Sequence, residues 1–96
     1  MATLIYARRA LEDLERIADF LGNTDTDAAE LAIELIEEAI ALLAHHPLVG
    51  RAAEEGYREL VISRGRTGYI ALYRYRPRAD VVVILAIRHQ REAGYR

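Results

Sequence analysis

Along the first half of the chain, apolar residues return every three or four positions. Ala10, Leu11, Leu14, Ile17, Ala18 and Leu21 form one stripe, and Glu12, Asp13, Glu15, Arg16 and Asp19 fill the other face. That spacing predicts an amphipathic helix. Gly22-Asn23 predicts its end, because a glycine just past the last turn takes the left-handed conformation without a Cβ clash. Thr24, Asp25, Thr26 and Asp27 offer several N-caps for a second helix. Its stripe runs through Ala28, Leu31, Ala32, Leu35, Ile36, Ala39, Ile40 and Leu43, and stops at His45-His46-Pro47. The short link makes the two helices an antiparallel hairpin. Ahead of them, Thr3-Leu4-Ile5-Tyr6 is a short strand candidate.

The second half has a different period. Leu60-Val61-Ile62, Tyr69 to Tyr75 and Val81 to Ile87 are runs rich in β-branched and aromatic residues, as strands are. Ser63-Arg64-Gly65-Arg66-Thr67-Gly68 and Pro77-Arg78-Ala79-Asp80 separate them and are turn-prone. Short links between strands imply an antiparallel meander. The order is strand, helix, helix, three strands, which predicts one α+β domain over residues 1–96. Val81 to Ile87 is apolar at every position, so both faces of that strand call for burial. A two-helix hairpin covers only one face, which leaves the other for the chain's own tail or for a partner.

Charge sharpens this picture. The net charge of −2 divides into −8 over residues 1–56 and +6 over residues 57–96. All thirteen basic residues are arginine, planar forks suited to carboxylate or phosphate. The second half therefore predicts an acidic or polyanionic partner. The chain has no cysteine, which excludes disulfides, thiol catalysis and cysteine-ligated zinc and fits a reducing compartment. No apolar run approaches the ~20 residues that span a bilayer, and no signal pattern opens the chain, so a cytoplasmic protein without membrane contact is expected.

Few residues point to chemistry. His45-His46 has no third ligand at a useful spacing and is explained by the helix C-terminus it sits at, so no metal and no cofactor are expected. Ser63 is the only serine, and its place in a turn gives no nucleophile constellation. Gly65 to Gly68 lacks the P-loop spacing and its lysine. Arg88-His89-Gln90-Arg91 is the sharpest polar cluster, lying where the apolar strand ends, with a histidine able to exchange protons between arginines able to hold phosphate. The same arginines could instead pair with acids of the helical hairpin. Tyr69, Tyr73 and Tyr75 share one strand face, which suits packing on helices better than stacking on bases.

Several of these segments together resemble the RelE/ParE toxin superfamily of bacterial type II toxin–antitoxin modules. They are Ala10-x-x-Asp13-Leu14-x-x-Ile17, His46-Pro47-x-x-Gly50-Arg51, Tyr57-Arg58-Glu59-Leu60, Tyr69-Ile70-Ala71-Leu72-Tyr73-Arg74, and the last strand running into His89-Gln90-Arg91. The resemblance implies an α+β fold with a two-helix antiparallel hairpin packed on a small, mostly antiparallel sheet of three to four strands. It implies two activities. RelE-like members are ribosome-dependent mRNA endonucleases, and ParE-like members inhibit DNA gyrase. If the chain were such a nuclease, Arg64, Arg88, His89, Arg91 and Tyr95 would be its catalytic candidates. RelE-like enzymes carry an arginine directly after the aromatic of the Gly-Tyr strand, where this chain has Ile70, and their strand lysines have no counterpart. Losing a donor to transition-state charge costs about 10²-fold or more, so the resemblance is closer to the ParE branch. Under that reading Arg88, His89 and Arg91 are expected to contact the target. A decayed toxin that only binds its antitoxin is the remaining alternative. The partner implied in every case is a ParD- or RelB-like antitoxin with a partly acidic arm, expected to contact Arg58, Arg74, Arg76, Val82, Ile84 and Arg88.

Overall fold

The apolar stripes of the helices and one face of the strands close on a single core. The computed structural model describes residues 1–64 and 67–90, with the backbone alone for 63, 64 and 67. Strand β1 (Thr3–Tyr6) leads into helix α1 (Arg8–Gly22) and helix α2 (Thr26–Ala41), which a single 3₁₀ turn extends to Ala44. Strands β2 (Arg51–Ala52), β3 (Arg58–Arg64), β4 (Thr67–Arg76) and β5 (Val81–His89) follow. The sheet order is β1-β5-β4-β3-β2, with β1 parallel to β5 and every other pair antiparallel. The fold class is the expected one, a helical hairpin on a mostly antiparallel sheet. The two-residue edge strand β2 brings the count to five.

Local chemistry explains most boundaries. Asp25 caps α2, its Oδ1 accepting from the Ala28 N–H at 3.1 Å. Gly22 does not end α1 in a left-handed turn. Asn23 continues right-handed (φ −66°), and the Leu21 carbonyl accepts from the N–H groups of Thr24 and Asp25, so a tight right-handed link joins the helices. Ser63, Arg64, Thr67 and Gly68, expected in a turn, lie in the β3–β4 ladder, which pairs out to Arg64 and Thr67. The turn before β5 is where it was expected, with Asp80 at φ 53°.

The core takes one face of the sheet. Ile36, Ile40 and Leu43 from the hairpin are fully buried, as are Tyr73, Val82, Ile84 and Ile87 from the strands. Each such aliphatic side chain contributes about 1.5–3 kcal/mol by leaving water. Tyr69, Ala71 and Tyr73 of β4 pair with His89, Ile87 and Ile84 of β5 on this face. Between Ile84 and Ile87 stand two residues rather than one, because the register shifts at Leu72/Tyr73. This β-bulge keeps Ile87 in the core while Leu85 and Ala86 fall between the two inward positions.

Asp13 is not the solvent-facing residue that its place in the polar set suggested. It is 6% exposed, and its Oδ2 accepts from the Ile87 N–H at 2.8 Å. Arg16 lies 3.6 Å from the other carboxylate oxygen and donates to the Ile87 carbonyl at 3.4 Å. The reason is topological. Strand β1 pairs with β5 only as far as Ile84, so beyond it the edge of β5 has no neighbouring strand. Two side chains of α1 take the hydrogen bonds that a strand would have made.

Candidate partner-binding face of the sheet

Alternation along the strands decides which residues can meet a partner. With Tyr69, Tyr73, Val82 and Ile84 turned to the helices, the opposite face carries Ile5 of β1, Val81 and Val83 of β5, Ile70, Leu72, Arg74 and Arg76 of β4, and Val61 of β3. Leu72, Val81 and Val83 are half-buried, while Ile5 and Val61 remain 47% and 42% exposed. The hairpin packs on the other side of the sheet, and the apolar strip left accessible lies toward the end that carries Arg74 and Arg76, whereas Ile70, the register partner of Arg88 at the other end, is 5% exposed. A contiguous apolar surface rimmed by charge marks an interaction site rather than an ordinary solvated face.

Two of the arginines are held in place. Arg74 stacks on the Tyr57 ring with its guanidinium carbon 4.4 Å from the ring centre, and it donates to the Glu55 carbonyl. Arg51 bonds Glu59 through Nε at 3.1 Å along the β2–β3 edge. Arg76 is exposed on the same strand face as Arg74. The Arg74–Tyr57 stack was not legible in the sequence, because it joins β4 to the residue before β3, 17 positions away.

Three of the expected antitoxin contacts need correction. Val82 and Ile84 are 0% exposed against the helices, and the residues of β5 on the opposite face are Val81 and Val83. The seven-residue apolar run serves two faces, with Val82 and Ile84 on the helix side and Val81 and Val83 on the other. Arg58 points to the helix side, where its Nη1 donates to the carbonyls of Leu48 (3.2 Å) and Gly50 (2.8 Å). There it anchors the segment after α2. Arg74, Arg76 and Arg88 keep their place on the open face.

Two of the nuclease candidates, Arg88 and His89, lie on different faces of the sheet. Arg88 pairs in register with Ile70 on the open face, whereas His89 pairs with Tyr69 on the helix face. The His89 ring stands edge-on to Tyr69 with centroids 5.4 Å apart and planes at 86°. Neighbours on a strand point to opposite sides, so the sheet itself lies between Arg88 and His89. Arg64 belongs to β3 by its backbone. Arg91 and Tyr95 lie outside the described residues. Ile70, standing where the resemblance places an arginine, is 5% exposed. The tyrosines pack rather than offer a stacking platform. Burial raises the Tyr69 hydroxyl pKa, and it raises that of Tyr73 against the smaller lowering by the Gly50 N–H and Arg58.

Among the described residues, no three His, Cys, Asp or Glu side chains are grouped to hold a metal ion, and no helix is long and apolar enough to cross a membrane. His45 and His46 are exposed beyond the 3₁₀ turn, their N–H groups donating to the Leu42 carbonyl.

Comparison with known proteins agrees with this geometry. Residues 4–94 match the family described as the ParE toxin of the type II toxin–antitoxin system parDE. Toxin RelE3 of Caulobacter vibrioides is 42% identical over 84 residues, covering 88% of this chain and 89% of that toxin. The chromosomal ParDE toxin–antitoxin system of P. aeruginosa superposes with a TM-score of 0.78 at 27% identity, over 93% of this chain and 96% of that one. The intact E. coli RelBE toxin–antitoxin complex shares the fold, with a TM-score of 0.63 at 12% identity over 91% and 94% of the two chains. Match, relative and fold agree that the chain belongs to the ParE toxin family of type II toxin–antitoxin systems, within the ParE/RelE superfamily.

Proposed function

We propose that this toxin acts in the cytoplasm as a ParE-like inhibitor of DNA gyrase, and that a cognate antitoxin silences it by laying a partly acidic arm on the open face of the sheet. The observation that carries the first half is the separation of Arg88 from His89. Cleaving a phosphodiester by acid–base chemistry requires the charge donor and the proton donor around one phosphate. Here strand alternation sets them on opposite sides of the sheet, and the buried Ile70 supplies no charge on the Arg88 side. In this reading Arg88 and Arg91 bind the target protein, and His89 supports the strand end through Tyr69.

The antitoxin half rests on the open face. Its apolar strip and terminal arginines match a segment with apolar residues in the middle and acids toward its ends, and charge pairing there would set the register of the arm. The solved relatives described as ParDE and RelBE are toxin–antitoxin systems, which supports a partner of this kind.

A second reading has one observation in its favour. The relative at 42% identity is named a RelE toxin, so an mRNA endonuclease that works with the ribosome is the competing activity. Inducing the chain alone in a bacterial host, with parallel readouts of DNA damage and transcript integrity, separates the two. Filamentation with an SOS response and intact transcripts is expected. Rapid transcript cleavage without an SOS response would overturn the gyrase reading, and unimpaired growth would point to a decayed toxin that only binds its antitoxin.

A further inference from the structure

The Arg74 corner is more elaborate than a surface arginine requires. Its guanidinium is fixed on two sides, by the Tyr57 ring, whose centre lies 4.4 Å from the guanidinium carbon, and by the Glu55 carbonyl that accepts from Nη2. Glu55 itself sits in the left-handed region at φ 56° and ψ 31°, uncommon for a residue with a side chain. Gly56 follows at φ 82°, and a Cβ there would lie 3.4 Å from Arg74 Nη2. The β2–β3 turn is thus bent into an unusual shape with its carbonyl on Arg74. Of the five guanidinium donors, the turn takes one and the stack takes none.

A guanidinium held this way has lost its conformational freedom before any ligand arrives, which is what makes a binding group effective. Arg76 lies two residues along on the same face, roughly 6.6 Å away at strand spacing. The surface beside the pair is apolar, formed by Val81, Val83 and Leu72. An acid followed by apolar side chains fits that arrangement, whereas a nucleic-acid backbone would set its next charges against the apolar strip.

We propose that Arg74, fixed by Tyr57 and the Glu55 carbonyl, is an anchoring subsite for one carboxylate of the antitoxin arm, and that recognition there depends on the planar fork rather than on positive charge alone. This rests on the open-face reading above. A lysine at position 74 keeps the charge but neither stacks flat on Tyr57 nor presents paired donors.

The test uses the full chain in complex with its full-length cognate antitoxin, and reads the dissociation rate by competition with labelled antitoxin. R74K and R74Q are each expected to speed dissociation tenfold or more, Y57L severalfold, and R78Q, in the exposed turn before β5, not at all. Thermal melts of the free variants check that each is folded, and R74K is the variant least able to disturb the core. An R74K complex that dissociates within twofold of wild type overturns the proposal. V83E tests the underlying reading separately. If V83E leaves the complex intact, the open face is not the antitoxin site, whatever Arg74 does. Loss of binding to a 20-nucleotide single-stranded RNA in R74Q, with the antitoxin complex unchanged, would also overturn the proposal and assign the corner to nucleic acid.

Discussion

Gly50 is set by a single close approach. The Tyr73 hydroxyl, fully buried in the core, accepts from the Gly50 N–H at 2.9 Å. A Cβ at position 50 would lie 2.6 Å from that oxygen and 2.8 Å from the Glu59 carbonyl, and neither can withdraw, one being packed and the other backbone. Gly50→Ala is therefore expected to lower stability by about 1–3 kcal/mol, the usual cost of overpacking, read as a shift in the chemical-denaturation midpoint. The same contact ties the segment after α2 to the middle of β4, with Arg58 holding its carbonyls from the other side. Gly50 of the His46-Pro47-x-x-Gly50-Arg51 segment thus has a structural explanation.

At the scale of the element, α1 is both a packing helix and a substitute strand. Ala10 and Ile17 bury its apolar stripe, while Asp13 and Arg16 complete the edge of β5 where β1 has run out. That edge leads directly to Arg88 and His89, so the helix steadies the strand end on which the target contacts are proposed. Asp13→Ala leaves the buried Ile87 N–H without its acceptor, a loss of about 1–3 kcal/mol. The expected outcome is faster amide exchange at Ile87 together with a lower melting temperature. Asp13→Asn, which keeps an acceptor oxygen but loses the charge beside Arg16, should lie between Asp13→Ala and wild type. Unchanged protection at Ile87 in Asp13→Ala would show that the edge is held by other means.

For the molecule as a whole, the alkaline limit is written into the core tyrosines. Burial raises the hydroxyl pKa values of Tyr69 and Tyr73, and burial with the nearby Glu37 carboxylate raises that of Tyr6. In the unfolded chain these groups titrate near pH 10. The native state then holds protons that the unfolded state has released, so their contribution is complete below about pH 10 and is lost as pH climbs through the raised native values. Melting temperature should accordingly hold steady from pH 8 to 9.5 and fall above about pH 10, with Tyr6, Tyr69 and Tyr73, followed one by one by NMR, ionising together with unfolding. Tyrosinate at Tyr69 or Tyr73 in a chain that is still folded would contradict this. The charge division acts at the same scale, since most acids lie on the hairpin while Arg74, Arg76 and Arg88 lie on the open face of the sheet. Removing the antitoxin should therefore leave a chain prone to associate with itself.

Periodicity is enough to place both helices, the Asp25 cap, the three long strands and the need for cover on a second face, because a 3.6- or two-residue repeat and a capping side chain act within one or two turns of chain. It is also enough, with the order of short motifs, to point to the toxin superfamily. What it cannot supply are the pairings between distant segments. Asp13 reads as one polar residue among five until Ile87, 74 positions away, is set beside it by a sheet order that puts the first strand next to the last. Val82 and Ile84 read like their neighbours until the helices choose a face, and the bulge at Leu85 changes the alternation after it. Arg88 and His89 look like one site in a line of letters and become two sides of a sheet in space. The physical reason is common to all of these: local geometry repeats along the chain, whereas hydrogen-bond partners and buried faces are assigned by packing, which couples residues far apart in sequence.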